Sequence, residues 1–410
     1  MVKYMNKNKS FLLLWTGKFV SELGDKFYAI SMAWWILEES GSPINMGLYL
    51  AFSIFPGILA GIFAGAYIDR LSPKKLLIIM DAIRGIIIFC MAWLYFTGNL
   101  NIWHAFLSAM LVSIASSFFN PAVITIIPRL VDKESLTKAN SFIQMVDGIA
   151  TVIGPVIGAG VAILHGFTWV FALNGLSFLL SALFECFIKV RAKEQSVNLT
   201  NTSILEDIKE GFKYLKQNPN MIRIMLIIGF AHFFIGAIVI TMPFIAKSID
   251  GNGIQALGYM EMALGLGFII GAMITSSKKT VSLKINRLFG FLITVGLCFI
   301  CIGVVSLQLI NDLILYVIII FIVGFAIVNA SIYWQTFIQS STPENMLGRM
   351  SAISSLVGDA TLPISFTLFG ILLDLIQFEY LMIFSGFILV VFFLKNAMSE
   401  YRNDISTMNS

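Results

Sequence analysis

Four charged side chains interrupt the first apolar run of the chain. Lys18, Glu22, Asp25 and Lys26 lie inside 11–37, a stretch otherwise greasy enough to span a bilayer. On a helix turning about 100° per residue they fall within one arc of roughly 100°. A charge at a helix centre in lipid costs about 2.5–3.5 kcal/mol, so four cost roughly 10–14, while each apolar neighbour returns only about 0.3–0.6. Such a helix must face water or other buried polar groups, and intramembrane ionisable residues of this kind serve substrate paths and proton relays. Glu22 has Lys18 at i−4 and Lys26 at i+4, the spacing of helical ion pairs. Asp25 has Ser21 and Ala29 there instead, so Asp25 is expected to carry the proton, with Glu22 beside it. Asp147, Glu261 and Asp359 also fall in apolar runs, none with a basic residue within four positions. Each is a candidate proton or cation site, or the partner of a lysine on another helix. Asp81 and Arg84, three apart, read as a local structural pair.

The elements that must position these groups are spans. Only 12% of the residues are charged and 58% are hydrophobic, whereas soluble chains carry about 25% charged residues. Apolar runs of about 20 residues, each long enough to cross a bilayer, recur near 11–37, 44–68, 76–96, 102–127, 138–164, 168–189, 222–246, 255–276, 286–308, 312–338, 348–372 and 378–396. Basic residues gather in alternate loops, as in Arg70/Lys74/Lys75, Arg129/Lys133/Lys138 and Lys278/Lys279/Lys284, while the intervening loops hold Glu38, Glu39, Asp250 and Asp312. The positive-inside rule then puts both termini in the cytoplasm. The longest polar stretch, Lys189–Asn220, splits the spans six and six. Residues 1–190 and 221–410 therefore read as two six-helix bundles, joined by a cytoplasmic linker over 191–220. Within the linker, Ser203-Ile-Leu-Glu206 is a capping-box pattern opening a short amphipathic helix, either on the membrane surface or as a plain connector. Gly57, Gly61 and Gly65, and Gly267 with Gly271, recur every four residues, a spacing that lets helix backbones approach closely.

After the second run the chain reads Gly65-Ala-Tyr-Ile-Asp69-Arg70-Leu-Ser-Pro-Lys74-Lys75. This resembles the signature loop of the major facilitator superfamily, with Ser72 and Pro73 where that family usually has Gly and Arg. The resemblance implies that Asp69, with Gly65, Arg70 and Lys74, takes part in conformational gating against the eleventh helix. The corresponding loop of the second half, Ser276-Ser-Lys-Lys279, has the charge but no Asp. Gly154-Pro155-Val-Ile-Gly158-Ala-Gly160 in the fifth run is similar to the family's fifth-helix motif, associated with exporters that exchange substrate for protons. Phe118-Phe-Asn-Pro121, Ile127-Pro-Arg-Leu and Ala139-Asn-Ser141 resemble the branch that includes macrolide-efflux proteins and the enterobactin exporter.

The resemblance covers essentially the whole chain and implies an all-α membrane protein of twelve transmembrane helices in two pseudo-symmetric bundles. The family's cavity helices, carried over by position, would line the substrate path with Glu22, Asp25, Lys26, Asn120, His232, Asn329, Tyr333 and Trp334. The activity expected is proton-coupled export of amphipathic small molecules by alternating access, with uptake symport, siderophore export or a non-transporting sensor as rivals. No G-x-x-x-x-G-K-[ST] occurs to point to ATP. Cys90, Cys186, Cys298 and Cys301 all lie in apolar runs and make no metal-ligand pattern. The chain is thus expected to be no enzyme, to need no cofactor or metal, to bind no nucleic acid, and to work as a monomer in contact with membrane lipid.

Overall fold

The structure, a computed structural model, describes residues 8–68, 72–132, 136–190, 213–249, 251–276, 285–308, 312–342 and 344–408. The expectations for Asp69, Arg70, the 203–206 capping box and the 277–279 basic run therefore lie outside the described residues. The described residues are almost entirely helical, as an apolar environment demands, because a helix satisfies every backbone polar group within one segment.

The long helices are α1 (Lys9–Ser40), α2 (Pro43–Phe52), α3 (Phe55–Ile68), α4 (Pro73–Phe96), α5 (Ile102–Leu130), α6 (Leu136–His165) and α7 (Phe167–Cys186). They continue as α8 (Pro219–Ser248), α9 (Gly253–Ser276), α10 (Ile285–Leu307), α11 (Leu313–Ser341), α12 (Glu344–Leu375) and α13 (Phe378–Met408). Eleven helical stretches are long and apolar enough to cross a membrane. One of them runs Pro43–Gly61, so α2 and α3 are one span, broken at Ser53–Ile54 just before Pro56, whose ring removes a backbone donor. The helix outside that set is α1. At 32 residues it is long enough, but the charges of its middle turns set it apart from the other eleven. With it, the twelve long helices expected from the sequence are present.

The chain divides into two compact units. One comprises Met1–Gly41 with Leu48–Asp207, the other Ser42–Gly47 with Ile208–Ser410. In the first, α1 packs on α6 and α7, α4 on α5 and α7, and α3 on α5. In the second, α8 packs on α12 and α13, α10 on α11 and α13, and α9 on α11. Numbered by span, these are the same five pairings in the same order, which is the pattern of an internal repeat. Close approach in each unit rests on glycines. A side-chain carbon on Gly57 would meet the Ser113 hydroxyl at 2.6 Å, and one on Gly271 would meet Val328 at 2.6 Å, whereas Gly61 faces open space.

Candidate functional site

The first helix is fixed at both ends. The Asn8 side chain caps it, accepting from the Phe11 N–H at 3.1 Å, and the Asn8 amide also donates to the Leu130 carbonyl. At the far end Gly41, at φ 59°, closes the helix with its N–H on the Leu37 carbonyl at 3.1 Å. Between these caps Lys18 and Asp25 find partners on two other helices, while Glu22 and Lys26 pair along α1 itself.

Lys18 is buried and donates to Glu22 at 3.0 Å and to Asp147 of α6 at 2.7 Å. Lys26 approaches the other Glu22 oxygen at 4.0 Å. Asp147 is thus the partner of a lysine on another helix, one of the alternatives open from the sequence. Asp25 turns the other way, with Arg84 of α4 at 3.9 Å. The same guanidinium binds Asp81 one turn earlier on α4 and lies over the rings of Phe119 and Phe178, 4.1 and 4.5 Å from their centroids. Asp81 and Arg84 are therefore a pair, as their spacing suggests, but not merely a local one. Arg84 joins Asp25 to them, a link that no sequence spacing displays.

Small residues make this geometry possible. A side-chain carbon on Gly158 would lie 2.5 Å from the Phe27 carbonyl oxygen, and one on Gly154 would collide with the Cβ of Lys26. The glycines of the fifth-span motif thus seat α6 directly against the charged turns of α1. On the opposite side, Gly24 meets Asn174 and Ser177 of α7, and Gly17 meets Ser181. Asn174, Ser177, Ser181 and Glu185 recur every three or four residues and form one polar stripe along α7. None of these four is among the residues expected from the sequence, although their spacing is visible there.

The remaining expected site residues divide by how their polar atoms are used. In the second unit Asn329 is buried, bonded to Thr275 and to the Phe325 carbonyl at 2.7 Å. The Tyr333 hydroxyl accepts from Arg287 at 3.2 Å, and the Trp334 indole donates to Ser354 at 3.0 Å. His232 holds the Ile228 carbonyl at 3.0 Å with one ring nitrogen, and its other nitrogen lies beside Gly358 of α12. Its electrostatic neighbour Asp359 is exposed. Asn120 is exposed on α5, and Glu261 is partly buried on α9. Lys74, expected to serve gating, donates to the Cys186 carbonyl at 2.8 Å and so satisfies the last turn of α7. Gly65 lies within α3, and Pro155 lies inside α6 between the two packing glycines.

Known proteins bear on this geometry. A family model described as Major Facilitator Superfamily matches residues 14–365. Macrolide efflux protein A of Streptococcus pyogenes is 20% identical over 390 residues, 95% of this chain and 96% of that protein. Multidrug efflux pump Tap of Mycolicibacterium fortuitum is 22% identical over 378 residues, 90% of each. Among solved structures, that of the nucleoside transporter NupG superposes with a TM-score of 0.77 at 13% identity, covering 96% of this chain and 99% of that one.

Proposed function

Because this chain belongs to the major facilitator superfamily, and is thus a multi-pass small-molecule transporter rather than an enzyme, we propose that it exports amphipathic small molecules in exchange for protons. The relatives named as macrolide and multidrug efflux proteins support the direction and the substrate class. The observation that carries proton coupling is the unequal pairing of the two acids on α1. Glu22 lies between two lysines, so protonating it would strip Lys18 and Lys26 of a shared partner. Asp25 has only Arg84, at 3.9 Å, and Arg84 is already bound by Asp81. Protonating Asp25 therefore leaves no buried cation without a carboxylate, whereas a stranded buried charge costs several kcal/mol.

In this reading Asp25 alternates between a proton and Arg84, while Glu22, Lys18 and Asp147 form the fixed part of the network. Asp359, exposed on α12 near His232, is the acid of the second unit that would share this role. Lys26, half-exposed beside Asp25, is placed to sense what enters. Substrate and proton are carried by alternating access in a bacterial plasma membrane with both termini in the cytoplasm.

The test is a pH gradient in energised inverted vesicles, challenged with macrolides, tetracyclines, fluoroquinolones and lipophilic cations. A compound that collapses the gradient only when the protein is present supports antiport and names the substrate class. A folded protein that moves protons with none of them, yet accumulates a solute in whole cells, is an uptake carrier.

A further inference from the structure

A second acid lies deeper in the first unit. Glu185, in the last turn of α7, has 0% of its surface exposed, and neither of its carboxyl oxygens has a hydrogen-bond partner. It ends the polar stripe of α7, where Ser181, one turn earlier, lies beside Asp81. The ionisable groups within electrostatic reach of Glu185 are Asp81 and Arg84 of α4 and the adjacent Cys186 thiol. From α1, Lys18 reaches Asp81, but its ammonium is held by Glu22 and by Asp147 of α6. Lys74 of α4 is bonded to the carbonyl of Cys186. Beyond the stripe an apolar cluster that includes Phe11, Leu14, Leu77 and Ile188, none more than 1% exposed, shuts it off. Leu77 is one turn from Asp81, and Ile188 is three residues from Glu185, so this seal lies directly past the two acids.

The charges do not balance. Lys18, Lys26 and Arg84 face Glu22, Asp25, Asp81, Asp147 and Glu185, three cations against five carboxylates. Lys18 and Arg84 are each already shared between two carboxylates. A fully buried carboxylate with neither cation nor donor is not a stable arrangement. A metal ion does not answer this, because the described residues contain no group of three or more His, Cys, Asp or Glu able to hold one.

We propose that Glu185 is a proton-binding site, separate from Asp25, and that Arg84 links the two. With Asp25 ionised, Arg84 is divided between Asp25 and Asp81, and Glu185 keeps its O–H bond. When Glu185 gives up its proton to Asp25, Arg84 is released from Asp25 toward Asp81 and Glu185. One O–H bond forms and one breaks, so the cluster's net charge is unchanged. The inference rests on the first unit alone and needs neither export nor a particular substrate.

The test is infrared spectroscopy of the purified full-length protein at neutral pH, reading the carbonyl stretch of neutral carboxyl groups. Wild type should show such a band, and Glu185→Gln should lose it with its melting temperature unchanged, since glutamine has the shape and charge of protonated glutamate. An unchanged band in folded Glu185→Gln overturns the proposal. Should that variant not fold, wild type grown on carboxyl isotope-labelled glutamate answers the same question. The band must then shift, and a band that shifts only with labelled aspartate, or no band at all, overturns it. Drug transport plays no part in this readout, so its result is independent of whether the exporter reading stands.

Discussion

Replacing Gly158 and Gly160 by alanine, one at a time, separates packing from composition in the fifth-span motif. Both substitutions give the helix the same gain in propensity, about 0.8–1.0 kcal/mol. Only Gly158 is crowded. Its added carbon would lie 2.5 Å from the Phe27 carbonyl oxygen, 2.6 Å from Phe27 Cβ and 2.7 Å from Phe27 Cα, whereas Gly160 has nothing within 4 Å. Two of the three Phe27 atoms are backbone, so no rotamer change relieves the contact. Helices α1 and α6 must part by on the order of 1 Å to reach an ordinary carbon separation of about 3.5 Å. Overpacking of this kind costs about 1–3 kcal/mol. Because the propensity gain is common to both variants, their difference isolates the clash. At about 2–4 °C per kcal/mol for a unit of this size, Gly158→Ala should melt about 2–12 °C below Gly160→Ala. Purified protein followed by thermal unfolding in detergent gives the answer, and transport by Gly158→Ala should fall as Lys26 and Asp25 are displaced from their partners. Equal melting temperatures would refute the assignment of Gly158 as the seat of α1.

Three further outcomes follow. Arg84→Gln leaves the fully buried Asp81 without its cation and should destabilise the protein by about 3–5 kcal/mol, as a broken buried pair does. The double variant with Asp81→Asn should recover most of that loss in the same thermal assay, and an unrecovered loss would mean that Arg84 acts through its aromatic contacts. Asn329→Ala strands the buried Thr275 hydroxyl and should cost about 1–3 kcal/mol in thermal stability. Lys18→Met should abolish transport and expose Asp147 and Glu22 to mutual repulsion, and neutralising Asp147 in the same chain should restore part of the lost stability in a double-mutant cycle.

What the sequence made legible follows from what lipid forbids. The charged turns of α1 announce themselves because each charge is expensive among apolar neighbours, and the span count follows from the same rule. The helix that holds Lys18–Lys26 runs somewhat longer than the apolar run that reveals it, since its end residues Lys9, Ser10, Glu38, Glu39 and Ser40 are polar and lie outside the run. Pairings across helices are another matter. Lys18 with Asp147 and Arg84 with Asp25 join residues more than fifty positions apart, and which faces of α1, α4 and α6 meet depends on tertiary packing. The single span read over 44–68 hides a break at Ser53–Ile54, because hydropathy does not register a lost turn. Glu185 escaped notice for a different reason. Beside Cys186 at the end of an apolar run it looks like a headgroup-level charge, and only the spacing Asn174, Ser177, Ser181, Glu185 places it on the inward face. Asn329, Tyr333 and Trp334 could be assigned to a helix from the sequence, but whether their polar atoms were already engaged could not.

The most direct measurement is drug-driven proton movement in energised inverted vesicles carrying wild type or Asp25→Asn, with the two proteins matched for folded amount. The account predicts that a substrate collapses the pH gradient in the wild-type vesicles and leaves it intact with Asp25→Asn, while the variant still binds that substrate. An Asp25→Asn protein that exchanges drug for protons at the wild-type rate would contradict the account, because Arg84 would then be serving structure alone and the coupling proton would have to reside elsewhere.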